Sequence, residues 1–245
     1  MKVIVWGCSH IGKTLAGYDW RKEFDVAVNE VVTRSASADL VVHLGDLFDC
    51  GRPRPRDYTL ALEVIEAIAK PMFILKGNHD ENPGLEPDAL DPLMHFRFHE
   101  EVKIVREPGL VGAGGKVFAF IPHVNDSKSR AGKGGKSAQT VADELVAALK
   151  EKAPFGLDEH GRQRPVSALF THVDLAGAGH PVEESSHRVN VALDLEELQK
   201  MPFDVVAGHY HKSAHHAPNV YVPGSLLPFD FGEVGNQKFI LTMDL

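Results

Sequence analysis

Short runs of apolar, β-branched residues alternate in the first half of the chain with longer segments of mixed polarity. Lys2–Val5 ("KVIV") predicts a strand, residues 19–36 a helix, and Asp39–Leu44 ("DLVVHL") a second strand. Leu60, Val64, Ile65 and Ile68 fall on one helical face, so a helix capped by Asp57 and stopped by Pro71 is expected. A third strand follows at Met72–Leu75 ("MFIL"). This β-α-β-α-β order predicts a parallel sheet with helical crossovers. The second half is richer in β patterns, with strands predicted over 116–121, 166–171, 203–207, 219–222 and 238–243, and a helix over 141–150. Two packed sheets with helices outside them are expected. Residues 125–139 ("NDSKSRAGKGGKSAQ") predict a flexible loop, read as an active-site lid because strands continue on both sides. There is no internal repeat, and a single domain over 1–245 is expected.

Composition narrows the class. Hydrophobic residues make up 43% and charged residues 24%, the balance of a soluble globular chain. The net charge of -8 disfavours a broad basic surface for duplex DNA, though it permits a local basic patch. The apolar run Val3–Trp6 is too short for a signal-peptide core, and no run approaches the ~20 residues of a membrane helix. With two cysteines, Cys8 and Cys50, a reducing cytoplasmic setting is expected, and both are read as free thiols or ligands. Histidine is the unusual count, at 14.

The candidate chemistry collects just after predicted strands, where open α/β sheets place ligand sites. The clusters are "CSH" (8–10), "GDLFD" (45–49), "GNHD" (77–80), "TH" (171–172) and "GHYH" (208–211). Together they offer Asp46, Asn78, His10, His172, His209 and His211 as oxygen and nitrogen donors, about what two neighbouring divalent ions require. One carboxylate shared by two ions holds them ~3.5–4 Å apart, where they activate a water and clamp a phosphoryl group. Gly45, Gly77 and Gly208 each precede a candidate ligand, as sharp turns and close backbone approach would require.

In this order the clusters resemble the calcineurin-like metallophosphoesterase superfamily, whose pattern is Asp-x-His, Gly-Asp-x-x-Asp, Gly-Asn-His-Asp/Glu, a lone His and Gly-His-x-His. The resemblance spans residues 8–211. It implies a four-layer α/β/β/α sandwich of two mixed sheets flanked by helices, with a dimetal site at strand C-terminal ends. It also implies that His10 and His211 bind one metal, that Asp46 bridges, and that Asn78, His172 and His209 bind the second. His79 would be the non-ligand histidine near the scissile phosphate, Asp80 would fix its tautomer, and Asp49 would orient a ligand histidine from behind. The implied activity is a dinuclear metal-dependent hydrolysis of phosphodiesters, cyclic nucleotides among them, and of phosphomonoesters, by a metal-bridging hydroxide.

One position departs from the pattern: Cys8 stands where the first aspartate is expected. A thiolate ligand would favour softer ions such as Zn2+ or Fe2+ over Mn2+. A merely buried thiol would leave the first position short of a ligand. Mn2+ is expected to support activity in vitro. Substrate contacts are sought in "GRPRPRD" (51–57), with Arg52 as the candidate, and at His123. The four cations Lys128, Arg130, Lys133 and Lys136 of the 125–139 stretch suit an anionic substrate or simply a soluble loop. Small phosphate esters, nucleotides included, are the first expectation for the partner. A nuclease like the exonuclease subunits of double-strand-break repair complexes comes second, because the charge is acidic and only about 34 residues follow "GHYH". A non-catalytic scaffold comes third and rests on Cys8 alone. No membrane partner is expected.

Overall fold

The computed structural model describes residues 1–15, 17–82, 88–95, 101–124, 137–150, 154–178 and 191–245. Residues 125–136 of the expected lid, with their four cations, lie outside the described residues. Gln139, assigned to that loop from the sequence, is instead in the helix Ala138–Lys150, which Ser137 starts by accepting the Thr140 amide at 3.0 Å.

Two mixed sheets carry the fold. Across the first, the strands run Leu241–Asp244, Lys2–Trp6, Leu40–His43, Met72–Leu75 and Val102–Val105, all parallel except the first. Across the second they run Ala214–Ala217, Val220–Val222, Asp204–Ala207, Gln163–Thr171, Lys116–Ile121 and Gly109–Ala113, antiparallel only at the two edges. Phe155–Leu157 adds a short pairing to Gln163–Pro165.

Strand side chains alternate between faces, and the alternation sorts the core into three layers. Ile4, Trp6, Val41 and Ile74 face the helices Arg21–Ser35 and Pro55–Ile68. Val3, Val5, Val42 and Phe73 face Phe118, Phe120, Phe170 and Val206 of the second sheet. Val117, Ala119, Leu169 and Val205 face the helix Ala138–Lys150 and the short helix Leu195–Leu198 on the far side. The expected α/β/β/α layering is therefore observed. Among the described residues, no helix is long and apolar enough to cross a membrane.

The Asp57 expectation needs a correction. The second helix begins at Pro55, whose missing amide costs nothing in a first turn. Asp57 sits inside that turn and accepts the Arg54 amide at 2.8 Å. The helix ends at Ile68, with Ala69 left-handed (φ +48°), before Pro71. The parallel strands of both sheets end on one side of the molecule, and the residues just past Trp6, His43, Leu75, Thr171 and Ala207 form one cluster.

Candidate metal centre

Two strand-end loops lock together at the centre of this cluster. The amides of Cys8 and Ile11 donate to the carbonyls of Gly45 and Leu47, each at 2.9 Å, and those of Ser9 and His10 share the Asp46 carbonyl at 2.9 and 3.1 Å. The locking holds unusual backbone. Cys8 (φ +49°), His10 (+44°), Asp46 (+54°) and His209 (+76°) are left-handed, and Ala69 is the only other non-glycine so placed among the described residues. Each costs on the order of 1–3 kcal/mol, a strain that persists where surrounding structure enforces it. Two glycines answer a closer demand. A Cβ on Gly77 would lie 2.1 Å from Asp46 Oδ1, and one on Gly45 (φ +105°) 2.4 Å from His172 Nδ1.

Five of the seven sequence-predicted donors meet in two close groups, and a third close group joins His10 to Asp49 and His79. One atom each from Cys8, His10 and His211 lie within 4.8 Å of one another, and so do one each from Cys8, Asp46 and His172. The buried Cys8 thiol thus belongs to both, while Cys50 is exposed. His10 Nε2 and His211 Nε2 are 2.9 Å apart. Asp46 Oδ2 is 3.1 Å from His172 Nε2 and 3.9 Å from His10 Nε2. Asn78 Oδ1 lies 3.1 Å from both His172 Nε2 and His209 Nδ1.

The opposite ring nitrogens show which atoms can bind a cation. His172 Nδ1 donates to the Leu44 carbonyl at 2.6 Å, and His211 Nδ1 to Glu233 Oε1 at 2.8 Å. His209 Nε2 faces Asp174 Oδ1 at 3.0 Å. In the neutral rings, the lone pairs of His172 Nε2, His211 Nε2 and His209 Nδ1 therefore point inward, at Asp46, His10 and Asn78. Lone pairs that converge on carboxylate and amide oxygens repel unless a proton or a cation sits among them. This donor set fits divalent metal ions.

Electrostatics follow the same plan. Burial lowers the His10 pKa to about 4, so the ring is neutral and able to ligate. Burial opposes ionisation of Asp46, but His172 beside it outweighs this and holds the carboxyl well below the usual range. Burial also works against a proton on His172, and the Asp46 charge overrides it and raises the pKa. Burial opposes ionisation of Asp49, 3.4 Å from His10 Nδ1 and 3.3 Å from Lys13 Nζ, but His10 and Lys13 beside it lower its pKa. Asp49 thus stands beside His10.

His79 sits at the edge of the cluster. Its amide donates to Asp46 Oδ1 at 2.9 Å and its ring meets that of His10 edge-on at 4.7 Å. Its expected partner is corrected. Asp80 does not hold the ring; the Asp49 carbonyl does, accepting from His79 Nδ1 at 2.9 Å. Asp80 is buried beneath the 45–49 loop and accepts the amides of Leu47, Phe48 and Gly77 at 3.3, 2.9 and 2.9 Å. Burial and the nearby Asp46 push its pKa up to about 6.

The two substrate-contact candidates are engaged elsewhere. Arg52 is exposed, with Nε donating to Asn82 Oδ1 at 3.4 Å. His123 is buried, its Nε2 3.5 Å from Glu81 Oε2, while Glu81 Oε1 lies 3.7 Å from Lys76 Nζ. Other neighbours escaped the sequence reading. Asp174, two residues past His172, and His43, inside an apolar strand, each carried a legible signal. Glu233 carried none. His43 accepts the Gly45 amide on Nδ1 at 3.3 Å, so its Nε2 donates to Ser9 Oγ at 2.6 Å, between Cys8 and His10.

A family model for calcineurin-like phosphoesterases matches residues 1–213. The chain belongs to that family. Its members are metallophosphoesterases, and this member carries possible metal-binding groups. The chain is 25% identical over 223 residues to "Putative phosphoesterase 078R" of Invertebrate iridescent virus 3, covering 88% of this chain and 55% of that one. It is 22% identical over 256 aligned positions to an SbcCD nuclease subunit of Staphylococcus epidermidis, covering 100% of this chain and 66% of that one. It therefore spans less than two thirds of the length of either relative. The crystal structure of TT1561 of Thermus thermophilus matches with a TM-score of 0.49 at 18% identity, covering 92% of this chain and 89% of that chain.

Proposed function

We propose that this phosphoesterase is a single-domain, cytoplasmic, dinuclear metal-dependent phosphodiesterase of small esters, nucleotides included. The observation that carries this reading is the meeting of two buried donor groups on Cys8, with Asp46 of one group 3.9 Å from His10 of the other and His79 at their edge. Cys8, His10, Asp46 and His211 would hold one ion, and Asp46, Asn78, His172 and His209 the other. Such a pair supplies an activated water and neutralises phosphoryl oxygens. The Cys8 thiolate makes its position a soft one, suited to Zn2+ or Fe2+.

The chain's own residues do the rest. Asp49 steadies His10, and its carbonyl keeps a proton on His79 Nδ1. The imidazolium form of His79 can then give its Nε2 proton to the leaving oxygen and take one back in the next turnover. A second reading, cleavage of DNA, is favoured by the alignment of the whole chain with the nuclease subunit. One experiment separates the two: metal analysis of the purified protein, followed by a panel of cyclic nucleotides, a chromogenic phosphodiester, phosphomonoesters and linear DNA. The expected outcome is two ions per chain and fastest cleavage of the small diesters. Faster cleavage of DNA would replace the first reading with the second.

A further inference from the structure

The family model stops at residue 213, but the support of the cluster does not. His211 Nδ1 is held by Glu233, which closes the short 3-10 turn Phe231–Glu233. In that turn Phe231 is 87% exposed, while Glu233 folds inward and is buried. Lys238 Nζ donates to Glu233 Oε2 at 2.5 Å, to Ser225 Oγ at 2.8 Å and to the His211 carbonyl at 2.6 Å. The Ser225 amide donates to the same carbonyl at 3.1 Å, and Ser225 Oγ lies 3.0 Å from Glu233 Oε2. One lysine therefore grips residue 211 twice, directly at its carbonyl and through Glu233 at its ring.

An ionised carboxylate can only accept. It fixes the proton on Nδ1, leaves the lone pair on Nε2 and makes that nitrogen a stronger donor to a metal. The lone pair is the one 2.9 Å from His10 Nε2. Burying Glu233 without a cation would be costly, and Lys238 supplies the cation. A surface turn needs no such buried assembly, and although Ser225 Oγ also donates to the Leu227 carbonyl at 2.6 Å, Glu233 and Lys238 both close on a single histidine.

We infer that residues 223–240 are a working part of the metal centre, with Glu233, locked by Lys238 and Ser225, as the positioning residue that sets the tautomer and donor strength of His211. This rests on the reading of His211 as a metal ligand. The test uses the full chain, zinc and a competing chelator, with Glu233→Met, Glu233→Gln and His211→Ala. Wild type is expected to bind two zinc ions. Glu233→Met is expected to lose about 10- to 100-fold in affinity at one position and to keep the other, which reports that the fold is intact. Glu233→Gln, still an acceptor but uncharged, should lose less. Proton–nitrogen spectra of the histidine rings in metal-free protein should show His211 leaving its Nδ1–H form in Glu233→Met. A zinc lost in His211→Ala, with affinities and ring spectrum unchanged in Glu233→Met, would overturn the inference and leave the ligand reading standing. No loss in either variant would overturn both.

Discussion

The two halves of the donor cluster are held by different kinds of partner. The half built on Asn78, His172 and His209 leans mainly on the main chain, with one carboxylate, Asp174, 3.0 Å from His209 Nε2. His172 Nδ1 is fixed by the Leu44 carbonyl, which comes from the other sheet, and Gly45 allows the strand end to close on it, as Gly77 does on Asp46. The half built on Cys8, His10 and His211 leans on side chains, namely Asp49, Glu233 and Lys238, and on left-handed backbone at Cys8 and His10. A carbonyl at a strand end cannot titrate or be substituted. A carboxylate can do both. The first arrangement gives the more rigid half, fixed at His172 and adjustable only at Asp174, and the second the more tunable one.

The largest effect should come where the halves meet. Asp46 is the carboxylate within reach of both His172 and His10. Asp46→Asn is expected to lower hydrolysis of a chromogenic phosphodiester roughly a thousandfold, the equivalent of several kcal/mol of transition-state stabilisation. It should also reduce bound metal. A variant with normal metal content and normal rate would show that the halves do not share this residue.

A smaller effect, centred on the tunable half, is expected at Cys8. Cys8→Ser should weaken zinc about 10- to 100-fold at the position of His10 and His211, an effect of the size seen when a metal's supporting groups are removed, and less at the position of Asp46 and His172, which the thiol also approaches. Cys8→Asp should keep the fold and shift the preference toward manganese, because a carboxylate suits the harder ion. The thiol would be a packing residue if Cys8→Ser left both zinc affinities and the metal preference unchanged.

The contrast also explains what was legible in the sequence. The strand ends and the five clusters could be read because each is local: an apolar run sets the strand, and the ligands follow within a few residues. The layering could be read for the same reason, since alternation along Lys2–Trp6 or Lys116–Ile121 places each side chain on one face. The direction a side chain takes within a tight turn could not. Asp80 follows His79 directly yet turns under the 45–49 loop, and the Asp49 carbonyl takes the place expected for it. Long-range supports were equally hidden. Glu233 meets His211 across 22 residues with no periodic pattern to announce it. His43 was visible only as a polar residue in an apolar strand.

His43 offers the finest cut through the comparison, because it supports the tunable half from inside the rigid frame. It lies in the strand Leu40–His43, accepts the Gly45 amide and donates to Ser9 in the Cys8–His10 corner. Burial lowers its pKa from 6.5 to about 3. Between those values the unfolded chain takes up a proton here and the folded chain does not. The stabilisation is therefore complete above about pH 6.5 and is lost as the pH falls toward about 3. A single such group contributes at most about 1.4 kcal/mol for each pH unit in that window. His10, lowered to about 4 by burial, adds its own slope over a narrower range. Denaturant unfolding of metal-free protein between pH 6.5 and 5.5 should therefore show stability falling with pH. His43→Gln, which has no proton to gain, should be less stable at neutral pH but flatter by about 1 kcal/mol over that unit. An equal slope in the variant would mean that His43 is not the group that titrates, and that the Cys8–His10 corner does not depend on it for its acid sensitivity.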